Sequence, residues 1–447
     1  MAAAPNRRAP GLLLAWLLLD AAMGVYLTLN GPSTPSRLLL AGGLLFLLYV
    51  LLRRPSRDAF SPTFDQVGLA LGALLAVQLV VHILVPYRAE QPAPTVPVPA
   101  LAGVALLALI GWFAARRVAP ASRPRIDAAA ISVIVVAGLA ARFAIVAWDV
   151  EPGFDVHLIQ EAAGKALLAG QNPYLTHVYV SGYPYWPLSA VLAAFGVVFG
   201  DARWGLLLGD AAIVLAFAQI ARNVGAPARL GALAGALLLW DSSGLYMTWQ
   251  SLPEAVVIAF GALGVAALTS ATARQPRTRI VAGIWLGFSV ATKQLGLGLL
   301  PYLPLSRDRG RWTAFAVAGA VSGAIVLAFL LLAPAQFIEG SVASHLVEPA
   351  RTYAVNLLDP LPGIVPRFTV PFSVTAVVAG GIGLLVRLRW PDAIDGWLAA
   401  SIALLTVAFT LIGISFVNYY QIPIALLLVL VLMPDGWNPE PGSTRAA

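Results

Sequence analysis

Asp149, Glu151 and Asp155 stand within one short stretch, "DVEPGFD", and His157 follows two residues later. A carboxylate in such a group can take a proton from a hydroxyl, provided the two come within hydrogen-bond reach. Farther along, Lys293 and Gln294 interrupt the otherwise apolar run "GFSVATKQLGLGLL". A helix begun at Arg279 lifts Lys293 by about 20 Å at 1.5 Å per residue. An ammonium buried that deeply is costly, and it belongs either to a substrate phosphate or to an acid such as Asp210 or Asp241. Asp155 has a second reading as well: at a helix start it would only cap free N–H groups.

Other polar side chains collect around these two centres. "GQNPY" ends a helix and carries Tyr174, and "YPYWPL" places Tyr183, Tyr185 and Trp186 at a water–lipid boundary. Trp249, Gln250 and Glu254 follow one another in "MTWQSLPE", and Asn418 and Tyr420 in "SFVNYYQIP". His345, Glu348 and Arg351 are spaced i, i+3, i+6 and would share one helix face or a solvated surface. Arg142 lies one to two turns before the end of an apolar run, where it reaches a site or snorkels to a headgroup. Asp20 and Asp210, each inside such a run, read as interhelical partners.

The elements that must position these groups are membrane helices. The 447 residues are 59% hydrophobic and 11% charged, with a mean hydropathy of +0.83. Soluble domains run near about 45–50% apolar and about 25% charged. Many apolar runs approach the roughly 20 residues that cross a bilayer as helix, and they lack the period of two of a barrel strand. The expected fold is all-α, a polytopic bundle of about 11–13 membrane helices. There is no cysteine, so disulfides, thiol catalysis and Cys-built metal sites are excluded. The four histidines show no zinc-binding spacing. No cofactor or metal is expected; Mg²⁺ would need Asp149, Glu151 and Asp155 to converge. The net charge of +7 comes from arginines in short loops and calls for no nucleic-acid partner.

Those arginines set the topology. Runs at 11–29, 37–52, 66–86 and 98–116 place Arg7, Arg8, Arg53, Arg54, Arg57, Arg116 and Arg117 on one side, which is then cytoplasmic. A fifth run, 127–148, delivers the acidic loop to the outer face. Within that loop, apolar residues from Val156 to Leu167 recur at helical spacing, giving a short interfacial helix. Segment 187–200 is too short to cross and lies in the interface, so that 203–222 returns Arg222 inside. Segment 280–305 lies between two basic loops and forms a hairpin with Lys293 at its tip. Both termini are expected in the cytoplasm. The basic, proline-containing stretch "RRVAPASRPR" divides an N-terminal four-helix unit, 1–125, from the remainder, 126–447.

The order of these features resembles the GT-C superfamily of integral-membrane glycosyltransferases. It carries "FDVHLIQEAAGKALLAGQNPY" after a span, then "YPYWPLSAVLAAFG", "MTWQSLPEAVVIAFGALGVAAL" and "GIWLGFSVATKQLGLGLLPYLPL". The likeness runs over roughly 127–433 and leans toward polyprenyl-phosphate-mannose-dependent mannosyltransferases. The usual double proline is here "YPYWPL", and four extra spans precede the matching region. The resemblance implies an inverting transfer of a sugar from a polyprenyl phosphate to a hydroxyl of a glycolipid or glycan, at the outer face of the cell membrane. It gives Asp155 the role of base, with Asp149 and Glu151 next. Lys293 becomes the cation nearest the leaving phosphate, followed by Arg142, His345 and Arg351. His157, Tyr174, Tyr183, Tyr185, Trp186, Trp249, Gln250, Glu254, Gln294, Asn418 and Tyr420 would line the substrates. A transporter or lipid flippase for an envelope precursor is the competing class, since it too would use broken helices and a buried lysine.

Overall fold

The computed structural model describes residues 9–28, 33–53, 62–84, 97–116, 123–148, 155–176, 182–305, 310–343, 357, 370–390, 394–412 and 417–434. Among these, every regular element is helical. The principal helices are α1 (Ala9–Thr28), α2 (Thr34–Leu52), α3 (Phe64–Leu84), α4 (Val98–Ala115), α5 (Arg123–Ala147), α6 (Asp155–Leu168) and α7 (Pro187–Val198). They continue with α8 (Arg203–Asn223), α9 (Ala228–Trp240), α10 (Ser242–Trp249), α11 (Glu254–Thr269), α12 (Pro276–Thr292) and α13 (Gly310–Leu332). After the short α14 (Pro334–Ile338) come α15 (Phe372–Arg389), α16 (Ile394–Leu411) and α17 (Val417–Leu432).

Among the described residues nine helices are long and apolar enough to cross a membrane, and the pair α9–α10 would make a tenth span, bent by 60°. The chain is a multi-pass membrane protein. Among the described residues, the expected eleven to thirteen membrane helices are reached by adding α11, α12 and α17, which are 16, 17 and 16 residues long. At about 1.5 Å per residue these fall short of a hydrocarbon core of about 30 Å.

Two features decide where the polar groups go. First, adjacent residues of α6 bond to the start of α7 and to the turn that follows it. Gln160 donates to Ser189 at 2.8 Å, and Glu161 accepts from the Ala202 N–H at 3.0 Å. α7 therefore lies against α6, and its 12 residues are too few to span a hydrocarbon core of about 30 Å. The contact is close: a Cβ on Gly164 of α6 would sit 2.9 Å from the backbone of Ala193 and Ala194. Second, the hairpin 280–305 has one helical limb only. α12 stops at Lys293, whose backbone is extended (φ −155°, ψ 146°). The chain then turns back as a 3₁₀ segment, Gln294–Leu299, and a run of turns to Leu305. Glycines at 296 and 298 pack where a second α-helix would not fit: a Cβ at Gly296 would lie 2.6 Å from the Ser289 carbonyl.

The first four helices share one hydrophobic core with the others. α1 packs on α2 and α17, α3 on α4 and α9, and α4 on α5. The N-terminal helices are thus laid along the rest of the bundle, with His82 of α3 meeting the Trp240 carbonyl of α9 at 2.7 Å.

Candidate active site

Glu254 opens α11, behind the turn Ser251–Leu252–Pro253. Ser251 adopts φ 61°, a left-handed conformation uncommon for a residue with a Cβ. At a helix N-terminus the carboxylate gains from the helix dipole. One of its oxygens, Oε1, accepts from Lys293 Nζ at 2.5 Å and also from the side-chain amide of Asn418, in the first turn of α17. The second oxygen, Oε2, is buried and has no donor. Lys293 reaches this place because α12 ends there, and its ammonium lies between the rings of Tyr185 (4.9 Å) and Tyr419 (4.6 Å). A cation between two aromatic faces is held by their quadrupoles. The sequence offered Asp210 or Asp241 as the acid for Lys293; the acid is Glu254.

Asp155 is half-buried in the first turn of α6. Its charge acts on Tyr185, whose phenol is pushed above the usual tyrosine range by burial first, then by Glu254 and, more weakly, by Asp155. Burial does the same to Tyr174 and Tyr183, so all three phenols stay neutral donors. Tyr174 donates to the Tyr185 carbonyl at 2.7 Å and Tyr183 to Gln160 at 3.0 Å. Gln294 donates to the carbonyls of Pro184 (2.9 Å) and Ser341 (2.7 Å), tying the α12 break to the "YPYWPL" loop. Beside this polar group Gln250 is buried with neither amide atom bonded, and Trp186 Nε1 is also buried without an acceptor. Buried polar atoms are normally paired, so such orphans mark places where a ligand or water completes the set.

An apolar cleft starts one turn along from Glu254 and Asn418. It is lined by Val257, Ile258 and Gly261 of α11, Leu299 of the 3₁₀ segment, and Ile422 and Leu426 of α17.

Comparison with known protein families, curated proteins and solved structures returned no match. The reading of the site therefore rests on the residues themselves.

The structure gathers Asp155, Tyr185, Lys293, Gln294, Glu254 and Asn418 at one end of the bundle. It does not bring Arg142 there. Arg142 is buried on α5, with Nη1 bonded to Asp210 (2.8 Å), the Gly244 carbonyl and Thr248, and Nε and Nη2 to the carbonyls of Leu238 and Leu239. Its guanidinium closes the C-terminal end of α9 and is spent, which removes it from the phosphate-binding candidates. Tyr174, Tyr183, Trp249 and Tyr420 are buried in aromatic or helix contacts, Tyr420 against Phe409, and display no open ring face for stacking on a sugar. Asp149, Glu151, His345 and Arg351 lie outside the described residues.

His157 turns to a separate group. Its Nδ1 is 2.8 Å from Ser251 Oγ, and one ligand-type atom each of His157, Glu161 and Asp201 lie within 4.8 Å of one another. Among the described residues this is the group of three such ligands close enough together to hold a metal ion. Each acid already holds a basic partner: Asp201 binds Arg203 through both oxygens, and Glu161 pairs with Lys165 at 3.2 Å. Tyr419 and Ser251 are the residues that sequence reasoning passed over. The adjacent tyrosines of "NYY" gave no sign of which ring faces Lys293, although a small polar residue before Leu-Pro and an acid does mark a turn feeding a helix.

Proposed function

We propose that the chain is a membrane glycosyltransferase that moves a hexose, mannose first among them, from a polyprenyl phosphate to a hydroxyl of a glycolipid or glycan at the outer face of the cell membrane. The observation that carries this reading is the pairing of two environments. A polar cluster with a buried ion pair and unbonded amide and carboxylate atoms stands about one helical turn from a small apolar crevice. A lipid-linked sugar has those same two halves. α6, with its amphipathic pattern, would lie in the interface and present Asp155 to the acceptor.

In this mechanism Asp155 accepts the proton of the acceptor hydroxyl as its oxygen bonds to the anomeric carbon. The bond from that carbon to the phosphate oxygen breaks, and the phosphate leaves with the electron pair and with inversion. Lys293 has three ammonium protons, of which Glu254 takes one. The others would meet the growing charge on the phosphate. Gln250 and Glu254 Oε2 would bind sugar hydroxyls. The test is transfer from a radiolabelled polyprenyl-phosphate sugar to a membrane extract by purified protein. Wild type should transfer, and the folded Asp155→Asn variant should lose at least about 100-fold, the lower range of general-base catalysis. Equal transfer by both would leave Asp155 a helix-start residue; no transfer with any donor sugar would sink the enzyme reading.

A secondary transporter for an envelope precursor is the second reading. It is favoured by the 60° break between α9 and α10, with Asp241 at the break. Uptake into proteoliposomes without consumption of a lipid-linked sugar would select it.

A further inference from the structure

Two acids that the mechanism does not use face each other inside the helices. Asp20, midway along α1, is 5% exposed; Asp241, at the α9–α10 break, is 1% exposed. α1 packs against α10 and α17, and the two carboxyl groups lie near enough to act on each other. Each has its own donor on one oxygen: Gln78 of α3 donates to Asp20 Oδ2. Gln421 of α17, at 2.5 Å, and the Gly244 N–H, at 3.0 Å, donate to Asp241 Oδ2. The remaining oxygens, Oδ1 of both acids, meet no donor, and neither does Oε1 of the fully buried Gln421. The charged and titratable groups on the surrounding helices are committed elsewhere. Arg142 of α5 holds Asp210 of α8, and His82 of α3 bonds the Trp240 carbonyl. Among the described residues neither acid has a basic ion-pair partner.

Two carboxylates in contact and out of water cannot both keep their charge without a cation. Oxygen ligands alone suit a proton or a hard metal ion. We infer that Asp20 and Asp241 form a binding site for a single monovalent cation, a proton or an alkali ion, held between the facing oxygens with Gln421 Oε1 beside them. The bound cation joins α1 to the hinge that carries α10, and so to Trp249 and Gln250 at its end. This inference does not rest on the glycosyltransferase reading.

The test uses the full chain in detergent, as wild type and as Asp20→Asn and Asp241→Asn. Each variant ends the like-charge contact and keeps the side-chain shape. Infrared absorption of a protonated carboxylic acid at neutral pH, present in the wild type and lost in Asp20→Asn, identifies a proton. A melting midpoint raised by sodium chloride over choline chloride at equal ionic strength, with the response lost in a variant, identifies an alkali ion. Either variant alone serves if the other does not fold. A wild type with neither the acid band nor the sodium response overturns the site, and so does a signal that persists in the folded variant.

Discussion

Glu254 and Lys293 neutralise each other where water is largely excluded, and the consequence of breaking that pair follows from its burial. Glu254 is fully buried and Lys293 is 3% exposed, so removal of one partner strands the other as an uncompensated charge. Such losses cost about 3–5 kcal/mol, whereas replacing both charges by apolar groups of similar volume is often neutral. Lys293→Met should therefore lower the melting midpoint sharply, and the double variant Lys293→Met, Glu254→Leu should recover most of it. The double variant should nonetheless remain inactive in sugar transfer, because nothing then faces the leaving phosphate. Stability and transfer measured on the same preparations check both statements. Recovery of transfer along with stability would show that the pair is structural only. The lysine was legible in the sequence because an ammonium inside an apolar run stands out against its neighbours. Its partner was not: Glu254, Asp210 and Asp241 all sit in apolar surroundings. The choice among them is made by lateral packing, α11 on α12 and α8 beside α5, which no spacing along the chain encodes.

Two helix features govern how these residues are held. α6 brings Asp155 to the site and is fixed by its seat on α7, where Gly164 leaves no room for a Cβ. Gly164→Ala must push α6 away from the backbone of Ala193 and Ala194. Overpacking of this kind costs about 1–3 kcal/mol. Because α6 is a short helix of 14 residues seated on α7, the fold should survive while transfer falls. A variant that keeps the wild-type kcat at a lowered melting midpoint would separate α6 from the chemistry. Arg142 holds the other element, the α9–α10 break. It satisfies the carbonyls of Leu238 and Leu239, which the bend frees from the helix ladder, and also bonds that of Gly244 in α10. Arg142→Lys keeps a charge for Asp210 but cannot span those acceptors, so a fall in melting midpoint comparable to Arg142→Met is expected. α6 was readable from its apolar periodicity, and the end of α12 from Lys-Gln-Leu-Gly. The bend was not, because the run 229–242 reads as ending in a loop, with no sign that a second helix follows at once; Asp241, as the cap of α10, is what marks the break.

At the scale of the whole molecule, the question is whether residues 1–125 are an appendage. Their basic, proline-containing boundary suggested a separable unit, and the packing argues that the two parts depend on each other. α1 lies along α17, the helix that carries Asn418, Tyr419 and Gln421; α3 lies along α9. His82 bonds the carbonyl of Trp240, the last residue before the hinge, and Asp20 meets Asp241 at the hinge itself. Removing 1–125 would leave lipid on the apolar faces at little cost, since tails are as apolar as leucine. The polar contacts are another matter. Lipid offers no hydrogen bond to the Trp240 carbonyl or to Asp241, and an unsatisfied polar group in hydrocarbon costs several kcal/mol. A chain begun at 126 should therefore insert yet fail to hold the α9–α10 bend. It should run as a broad, aggregating species on size exclusion, and co-expression of 1–125 as a separate polypeptide should restore a single peak. A truncated chain that is monodisperse and as thermostable as the full protein would show that the first four helices only rest on a self-sufficient bundle.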